Sequence, residues 1–468
     1  MVETSAPGQA GPEAGTFTPP SEAGYVFCKT AGTRFVSLLR EYVGTLTVSA
    51  DTLSSRIRSR EATVAVVGLG VVGLAQATAF MRAGFRVLGL DIDGERVALL
   101  SNGARPAGVD EFWKLSHEYD SLADADCVIV AAPTGHKPDG TPDVDAVVHA
   151  ARDIGRRLRR GMLVVVESTV PPGTTRDRVL PALEASGLRA GSDFFLAFSP
   201  ERIDPGSTSH PVESIPKLVG GVTSACSTVA TELYRFVSPE VHAVSSPEVA
   251  ELAKVFENTF RFVNISLANE LALLCGAMGL DVQEVISAAS TKPFAFMAHR
   301  PGPGVGGRCI PMAPHYLAWA AGLAGTELPV TDAAIQLNDT LPRRVAQRAL
   351  ALIGERSTKG APSVLLLGVA YKPNVDDVRG SVAFAVAAEL LRAGARVIYH
   401  DPHVPAISID DEELRSQPLD ASQLVGADAA VLLCAHDAID LELVSRHARL
   451  ILDPTGRLSH DAERVFGM

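Results

Sequence analysis

The chain has 468 residues, of which 47% are hydrophobic and 21% charged, so it is long enough for two or three domains with apolar cores. Its formal net charge of -12 excludes an extended binding surface for nucleic acid or anionic membrane, because neither polyanion would be attracted over any distance. An anionic ligand must therefore be held by local basic groups.

The six cysteines lie at positions 28, 127, 226, 275, 309 and 434, without the spacing of metal ligands. We therefore expect no metal site. The first 28 residues contain no Lys or Arg, which argues against a signal peptide, and no apolar run approaches membrane-spanning length. These features predict a cytoplasmic protein with reduced thiols and with neither a membrane nor a nucleic acid as its partner.

The amino-terminal segment differs in composition from the rest of the chain. Residues 1–24 are rich in Pro, Gly, Ala, Ser and Thr, which predicts a disordered tail. In the following segment, residues 25–60, apolar side chains recur on one helical face. This pattern predicts a helical extension ahead of the first domain.

Residues 62–93 read ATVAVVGLGVVGLAQATAFMRAGFRVLGLDID, which predicts a strand, a Gly68-x-Gly70-x-x-Gly73 turn, a helix and a second strand. In such a dinucleotide-binding turn the first glycine permits the tight turn, the second admits the pyrophosphate and the third lets the helix meet the strand. The helix then starts at Val71 and Val72 with its amino terminus aimed at the phosphates. The alternative is a glycine turn that only packs a helix on a sheet.

Asp91 ends the second strand, 18 residues after Gly73, where its carboxylate could accept hydrogen bonds from ribose hydroxyls. A carboxylate there would repel a 2'-phosphate, so the sequence favours NAD over NADP. Asp93 is the rival for this role, but it lies past the strand end and is predicted to cap the helix that starts at Gly94.

Further apolar runs at 126–132, 162–166 and 194–198 alternate with helical stretches, which predicts a parallel sheet. The loops after such strands meet at the carboxyl edge of the sheet, where doubly wound folds bind their ligands. Thr134, Thr169 and Glu201 follow these strands and are therefore expected at the ligand.

Residues 244–280 form a long helical pattern with few breakers. Lys254 and Asn258 are four residues apart on one face of this helix. The alternative for Lys254 is an ion pair with Glu251 and Glu257 on a solvated face. The helix has more apolar residues than one amphipathic face needs, which predicts a homodimer or higher homo-oligomer. The residues expected at that interface include Phe256, Phe260, Phe262, Leu267 and Leu271.

The carboxyl-terminal part repeats the plan of the first domain. SVLLLGVAYK at 363–372 predicts a strand that runs into a turn, and the motif RAG-x-RV occurs at both 82–87 and 392–397. This repeat predicts an α/β fold with two Rossmann-like doubly wound domains joined by a long central helix. The predicted domains are 61–243, 244–340 and 341–468. The last domain lacks three spaced glycines, so it could hold a different nucleotide, that of a substrate.

PGPGVGGRCIP at 301–311 places four glycines ahead of Cys309. Such a loop, which includes Gly306, can bring backbone N–H groups close to a reacting carbon. A cysteine thiolate can add to an aldehyde to give a thiohemiacetal, which can lose hydride and become a thioester. The alternative is an inert cysteine on a flexible loop.

Seven motifs together resemble the UDP-glucose/GDP-mannose dehydrogenase family over about residues 50–468. They are GLGVVGL, STVPPGTT, SPERIDPG, IPKLVGG, ELAKVFENTFR, PGPGVGGRCIP and GVAYKPNVDDVRGS. SPERIDPG and PGPGVGGRCIP are most similar to the branch that acts on UDP-N-acetylhexosamines. The resemblance implies an NAD-dependent enzyme that oxidises the sugar C6 alcohol to a carboxylate.

The same resemblance implies roles for individual residues. Cys309 would be the thioester-forming nucleophile, and Lys254 and Asn258 would hold negative charge and water near C6. Thr169 and Glu201 would line the same pocket. The substrate-binding residues implied are Glu201, Lys254, Asn258, Gly306, Lys372 and Arg379. Thr134 and Thr169 join the glycine turn and Asp91 as expected cofactor-binding residues.

The chain departs from the family pattern at functional positions. Ala313 stands four residues after Cys309, where the family has an aspartate thought to activate water, and Arg308 stands where the branch has histidine. Val71 replaces a tyrosine, and ILDPTGRL at 451–458 differs from the family's ending. The leading hypothesis is a four-electron 6-dehydrogenase on a UDP-N-acetylhexosamine, with UDP-glucose as an alternative substrate. Two further hypotheses are a two-electron oxidoreductase that acts on an unusual nucleotide sugar or nucleoside and stops at the aldehyde, and a binding protein without turnover.

Overall fold

The computed structural model describes residues 50–103, 113–137, 139–203, 212–356, 360–409, 412–458 and 463–468. The tail predicted for residues 1–24 and the predicted extension up to residue 49 lie outside these residues. Within them, the first element is helix α1 (50–58), which buries Leu53 and Ile57 against the first sheet. Arg56 of α1 reaches the carboxylate of Asp126 at 2.9 Å. The end of the predicted extension is thus packed on the first unit.

The first unit is built on parallel strands with helices between them. Its strands are β1 (Thr63–Val67), β2 (Arg86–Leu90), β3 (Trp113–Ser116), β4 (Cys127–Val130), β5 (Gly135–His136), β6 (Pro142–Asp143), β7 (Leu163–Val166), β8 (Phe195–Phe198), β9 (Lys217–Gly221) and β10 (Val241–Val244). Its helices are α2 (Val71–Arg82), α3 (Gly94–Ser101), α4 (Asp145–Gly155), α5 (Leu180–Glu184) and α6 (Ser224–Tyr234). Short 3-10 turns cover Tyr119–Asp124 and Val212–Ser214.

The main sheet of this unit has the order β10-β9-β8-β7-β4-β1-β2-β3 within the described residues. All neighbours are parallel except β8 and β9, which pair antiparallel. Alternate residues of each strand face opposite layers, because successive side chains point to opposite faces. Val64 and Val66 pack towards α1 and α2, whereas Ala65 and Val67 pack towards α4.

Four helices connect the two sheets. They are α7 (Pro247–Met278), α8 (Val282–Ala289), α9 (Cys309–Leu323) and α10 (Pro329–Gly354). Helix α7 has 32 residues, starts with Ser246 as its cap and ends at Gly279, whose φ of 69° suits a left-handed terminator. The long helix predicted over 244–280 is therefore present. Helices α9 and α10 both pack against α7.

The second unit has a smaller parallel sheet. Its elements are β11 (Ser363–Leu367), α11 (Val382–Arg392), β12 (Arg396–His400), β13 (Ala406–Ile409), β14 (Glu412–Arg415), α12 (Ala421–Gly426), β15 (Ala429–Leu432), α13 (Leu441–His447), β16 (Ile451–Leu452) and β17 (Val465–Phe466). The sheet order is β12-β11-β15-β16-β17, with every pair parallel. Strands β13 and β14 form a separate antiparallel pair.

The predicted fold class is confirmed: two Rossmann-like units are joined by a long central helix. Strands β9 and β10 extend the first sheet and run in the direction opposite to its other strands. The sequence pattern alone did not indicate this. The exact domain boundaries stay a prediction. Among the described residues, no helix is both long and apolar enough to cross a membrane.

Candidate active site

The glycine turn after β1 has the tight turn at Gly68 and the close helix–strand contact at Gly73 that the sequence predicted. Gly68 has a φ of 94°, and a Cβ there would lie 2.7 Å from the Ala131 carbonyl oxygen. A Cβ on Gly73 would lie 1.8 Å from the Gly68 oxygen, so only glycine lets α2 meet the strand. A Cβ on Gly70 would meet no atom within 4 Å, which leaves open space beside the turn. The turn fits a pyrophosphate at Gly70.

Helix α2 presents its amino terminus at this open space. Its cap is Gly70, which supplies no side-chain hydrogen bond. Val71, the first helical residue, is 53% exposed, and Val72 follows it. The backbone N–H groups at the start of a helix have no intrahelical partners, and an anion can accept from them.

Asp91 lies at the end of β2 beside the glycine turn. Its carboxylate accepts hydrogen bonds from the Leu69 N–H at 2.7 Å and the Asp93 N–H at 3.0 Å. Asp93 caps α3 by accepting from the N–H groups of Glu95 and Arg96, as the sequence predicted. Each carboxylate oxygen can accept more than one hydrogen bond, so Asp91 retains acceptor capacity for a ribose.

Arg96 is a residue of this site that the sequence reasoning did not single out. Its guanidinium donates to the Leu69 carbonyl oxygen at 2.6 Å, which places a cation at the glycine turn, near Asp91. Its position in the first turn of α3, five residues after Asp91, was the available signal.

The loops after β4 and β7 meet at the carboxyl edge of the sheet. The Thr134 hydroxyl donates to the Thr169 carbonyl oxygen at 2.8 Å, and the Ser168 hydroxyl donates to the Ala132 oxygen at 2.7 Å. The Arg308 guanidinium reaches the Thr134 carbonyl oxygen at 3.4 Å. The structure therefore brings two expected cofactor-binding threonines next to the residue that precedes Cys309.

Glu201 and Lys254 face each other at this edge. The Lys254 Nζ lies 3.6 Å from Glu201 Oε2, and both side chains are 7% exposed. The Glu201 carboxylate also accepts from the Ile203 N–H. Burial makes this pair sensitive to the loss of either charge, because the remaining charge would be desolvated without a partner.

The alternative ion pairs considered for Lys254 on a solvated face are wrong. Glu251 instead accepts from the N–H groups of Gly173 at 2.6 Å and Thr175 at 2.8 Å. Glu257 pairs with Arg202 at 2.8 Å. Lys254 itself is buried beside Glu201, because α7 packs this face against the first unit rather than exposing it.

Cys309 is the first residue of α9 and is exposed. One turn after Lys254 on α7, the Asn258 amide donates to the Cys309 carbonyl oxygen at 3.3 Å. Although the residue reaches solvent, desolvation by the surrounding protein raises the pKa of the thiol, and the charge of Glu201 adds to this rise. Lys254, Arg308 and Arg379 act in the opposite direction. Cations from the central helix, the glycine loop and the second unit therefore all lower the pKa of this one thiol.

The glycine loop ahead of Cys309 is fixed from three sides. Asn269 of α7 accepts from the Gly302 N–H at 2.8 Å, and Asn338 of α10 accepts from the Val305 N–H at 2.7 Å. The Gly307 N–H donates to the Gly380 oxygen of the second unit at 3.0 Å. A Cβ on Gly306 would lie 2.9 Å from the same oxygen, so a larger residue would separate the two loops.

Lys372 and Arg379 lie in the loop after β11, the segment that contacts the glycine loop through Gly380. The Arg379 guanidinium pairs with Asp377, with its Nε 2.8 Å from the carboxylate. The Lys372 Nζ lies 5.9 Å from the centre of the Tyr371 ring. Arg379 thus contributes to the field at Cys309, while Lys372 lies on the same loop.

Ala313 is buried one helical turn after Cys309. It packs in an apolar cluster with Val255, Met312 and Tyr316. The Tyr316 hydroxyl donates to the Gly135 oxygen at 2.8 Å, which ties α9 to the first unit. Position 313 therefore supplies packing and no proton acceptor.

A buried polar cluster behind Glu201 was not anticipated from the sequence. Lys217 lies 2.9 Å from the Glu167 carboxylate, which also accepts from the Tyr234 hydroxyl. Burial raises the pKa of Glu167, and the charge of Lys217 opposes this rise. Lys217 also approaches the Pro200 oxygen at 3.5 Å, next to Glu201. The glutamate after strand β7 was a sequence signal, but its partner is 50 residues away.

No group of three or more His, Cys, Asp or Glu side chains that could hold a metal ion occurs in the part of the chain that the structure describes.

Comparison with known proteins defines the family. Residues 62–238 match the NAD binding domain of the UDP-glucose/GDP-mannose dehydrogenase family, residues 248–340 its central domain and residues 365–460 its UDP binding domain. The chain belongs to this family. It is an NAD-dependent oxidoreductase, and the glycine turn at Gly68 to Gly73 fits that cofactor.

Individual relatives are similar over most of their length. The UDP-N-acetyl-D-glucosamine 6-dehydrogenase of Pseudomonas aeruginosa is 39% identical over 354 residues, covering 73% of this chain and 83% of its own. The solved UDP-D-ManNAc dehydrogenase of Pyrococcus horikoshii superposes with a TM-score of 0.77 at 30% identity, over 86% of this chain and 99% of its own. A UDP-glucose dehydrogenase from Pyrobaculum islandicum gives 0.73 at 28% identity, over 84% and 94%. The fold is thus shared by enzymes named for different sugars.

Proposed function

We propose that this protein oxidises the C6 alcohol of a UDP-N-acetylhexosamine to a uronic acid, with two NAD and one water per sugar. The main support is the position of Cys309. Its thiol lies at the start of α9, and its pKa is influenced by the charges of Glu201, Lys254, Arg308 and Arg379. The similarity to N-acetylhexosamine dehydrogenases supports the choice of sugar.

The cofactor would be held by the first unit. Gly68, Gly70 and Gly73 would admit the pyrophosphate at the start of α2, next to Val71 and Val72, and Asp91 would accept from the adenosine ribose. Thr134 and Thr169 would lie at its nicotinamide end, on the edge that also contacts Arg308. When bound, NAD accepts a hydride in each of the two oxidations.

The residues around Cys309 would act in sequence on the sugar. Lys254 would stabilise the negative charge that develops on the C6 oxygen, and Asn258 would orient the same group. Loss of the hydroxyl proton to solvent and of a hydride from C6 would give the aldehyde, and the Cys309 thiolate would then add to its carbon to form a thiohemiacetal oxyanion. Loss of a second hydride from C6 of this adduct would leave a thioester, and water would displace the thiol to release the carboxylate and a proton.

The hydrolytic water needs a base, and position 313 is an alanine buried among apolar side chains. Glu201 is the carboxylate next to Lys254, and it acts electrostatically on Cys309. We therefore assign proton acceptance from the water to Glu201. Because Ala313 replaces the aspartate that the family has there, only Glu201 is left to activate the water, and hydrolysis of the thioester becomes the slow step, since a positioned base contributes about 10²- to 10⁴-fold in rate.

The second unit would bind the nucleotide of the substrate. Lys372 and Arg379 would supply the positive charge for its phosphates, which the acidic chain as a whole does not. The match of residues 365–460 to the UDP binding domain supports this assignment. The contact between Gly307 and Gly380 would then couple the position of the nucleotide to the loop that holds Cys309.

We also propose a homodimer formed through α7. Phe256 is 59% exposed and Leu267 is 61% exposed, which leaves large apolar side chains along one side of the helix. The interface residues expected from the sequence need one correction, because Phe262 is 2% exposed and packs with Val305 and Ala334 inside the chain. Phe256, Phe260 and Leu267 remain available.

A two-electron oxidation that stops at the aldehyde is the second candidate, favoured by Ala313 in place of a carboxylate. The two are separated by incubating purified protein with NAD and, in parallel, UDP-N-acetylglucosamine, UDP-N-acetylmannosamine and UDP-glucose. Two NADH per sugar and a uronic acid by mass support the proposal. One NADH with free aldehyde supports the second candidate, and no NADH from any sugar would contradict both.

A further inference from the structure

A buried imidazole–carboxylate pair lies behind the loop that carries Lys372. The side chains of His436 and Asp401 are both 0% exposed, and His436 Nε2 lies 3.1 Å from Asp401 Oδ2. Asp401 follows β12, and His436 lies four residues after the end of β15. These strands flank β11, and the chain leaves β11 towards β12 but leaves β15 towards β16, so the pair lies where connections depart to opposite sides. Such switch points are the binding crevices of open α/β sheets.

The hydrogen bonds determine which nitrogen of His436 holds the proton. The backbone N–H of Asn374, which can only donate, lies 2.9 Å from His436 Nδ1. Nδ1 must therefore accept, and in a neutral imidazole the proton is then on Nε2, which donates to Asp401. Burial raises the pKa of Asp401, but hydrogen bonds from His436 and from backbone N–H groups outweigh it and bring that pKa to about 2. Asp401 is thus an ionised acceptor.

The same pair fixes the start of the Lys372 loop, residues 369–380. Asp401 Oδ2 also accepts from the Val369 N–H at 2.6 Å and the Ala370 N–H at 3.2 Å. Its other oxygen accepts from the N–H groups of His403 and Val404 at 2.8 and 3.0 Å. The first residues of the loop are therefore bound directly to the carboxylate that orients His436.

Asn374 fixes the loop on the far side of Lys372. It has a φ of 63°, a left-handed conformation that is uncommon outside glycine. Its side chain exchanges hydrogen bonds with Asp437, donating to the carboxylate at 2.8 Å and accepting from the backbone N–H at 2.9 Å. With Asp401 at one end and His436 and Asp437 at the other, the segment that contains Lys372 is held at both ends.

We infer that His436 is a positioning residue for nucleoside diphosphate binding: it holds Asn374, and through it the Lys372 loop, in the conformation that receives the diphosphate. His436 is buried and acts through the loop rather than by contact with the ligand. This inference rests on the proposed function, which assigns Lys372 to the nucleotide of the substrate. The acceptor at Nδ1 is the essential feature, and Asp401 keeps the imidazole in the tautomer that provides it.

Two substitutions distinguish the roles of the two ring nitrogens of His436. In His436→Asn the amide oxygen can occupy the place of Nδ1 and accept from Asn374, whereas in His436→Gln the amide reaches towards Asp401 and the acceptor at Asn374 is lost. We expect His436→Gln to weaken UDP binding about fivefold, the effect of one net hydrogen bond. His436→Asn should stay near the unchanged protein. Calorimetric titration of the full chain with UDP measures both affinities.

NAD binding provides the control, because the first unit is distant in sequence from the pair. The affinity for NAD should be unchanged in His436→Gln, and steady-state kinetics should show a raised KM for the UDP-sugar at nearly unchanged kcat. Equal weakening of UDP binding in both variants, or parallel loss of UDP and NAD binding, would overturn the inference. An unchanged protein that fails to bind UDP would overturn the nucleotide assignment of the proposed function itself.

Asn374→Gly provides a test that does not alter the core. Asn374 is exposed, and glycine accepts a φ of 63° without strain. This variant keeps the N–H that His436 accepts but loses both contacts with Asp437. Because the Asn374 N–H still donates to His436 Nδ1, this variant should bind UDP within about twofold of the unchanged protein. If His436→Gln does not fold, this result tests the inference alone: a loss of about fivefold or more would show that Asp437 rather than His436 holds the loop, and would overturn the inference.

Discussion

The carboxylate of Glu201 lies 3.6 Å from the ammonium of Lys254, and both side chains are almost completely buried. The two charges act on the thiol with opposite signs, because Glu201 raises the pKa of Cys309 and Lys254 lowers it. Burial is the largest cause of the raised pKa of Cys309, and these charges from different parts of the chain modify it, so single substitutions are expected to shift this pKa in either direction.

Alkylation of Cys309 should report this balance. Glu201→Gln removes a negative charge, so the thiol pKa should fall and the rate of reaction with iodoacetamide should reach its midpoint at lower pH. Arg308→Gln removes a positive charge and should shift the midpoint to higher pH. Arg308→Lys keeps the charge and serves as the control. Peptide mass spectrometry follows Cys309 alone, and identical pH profiles for the two neutralising variants would contradict the assignment.

The nucleophile itself is tested by Cys309→Ser. Serine can form a hemiacetal but yields an ester rather than a thioester, and its hydroxyl is far less nucleophilic at neutral pH. We expect no uronic acid, while the first oxidation survives. Quenching the unchanged enzyme during turnover should reveal a sugar adduct on Cys309 by intact mass. Uronic acid formation at the normal rate by the serine variant would exclude a thioester.

Position 313 tests the base. A carboxylate there would lie four residues after Cys309 on the same helical face. Ala313→Asp should accelerate breakdown of the Cys309 adduct, at a cost in melting temperature, because Val255, Met312 and Tyr316 offer an apolar environment. Ala313→Asn introduces a side chain of nearly the same shape as aspartate but without its charge. It should lower the melting temperature without accelerating breakdown of the Cys309 adduct. Equal decay rates in the two variants would argue against base catalysis from this position.

Cofactor preference is expected to depend on Asp91. Asp91→Ala should weaken NAD binding about tenfold or more and relax the discrimination against NADP, because a carboxylate that accepts from a ribose diol and repels a phosphate is lost. Asp93→Ala is the matched control: it removes the cap of α3, which costs about 1 kcal/mol of stability, and should leave the preference unchanged. Fluorescence titration with both cofactors measures this. Equal affinity of the unchanged protein for NAD and NADP would contradict the role.

The proposed dimer predicts a specific surface. Leu267→Asp on α7 should give a monomer in light scattering, because a charge would be buried in the apolar interface. Leu99 on α3 is 63% exposed, about as much as Leu267 at 61%, so Leu99→Asp is the control and should leave the assembly unchanged. A monomeric unchanged protein at micromolar concentration would contradict the interface.

Local sequence determined the elements that depend on short-range rules. Gly68 and Gly73 make the tight turn and the helix contact assigned to them, since both depend on spacing within six residues. Asp93 caps α3 as predicted. The long helix α7 follows from an uninterrupted run between Pro247 and Gly279. Each of these depends on residues close together in the chain.

Only the tertiary structure decided which partners the charged residues have. The sequence did not decide whether Lys254 forms an exposed ion pair or lies in a buried site. The packing of α7 against the first unit pairs it with Glu201, 53 residues earlier. Phe262 was expected at an interface but faces the core, because an all-round apolar helix does not reveal which face its own chain will cover. The pair of Asp401 and His436 likewise forms only when the ends of β12 and β15 are brought to either side of β11. Sequence spacing fixes contacts within a turn or two, whereas contacts between distant segments depend on the sheet order and helix packing of the complete fold.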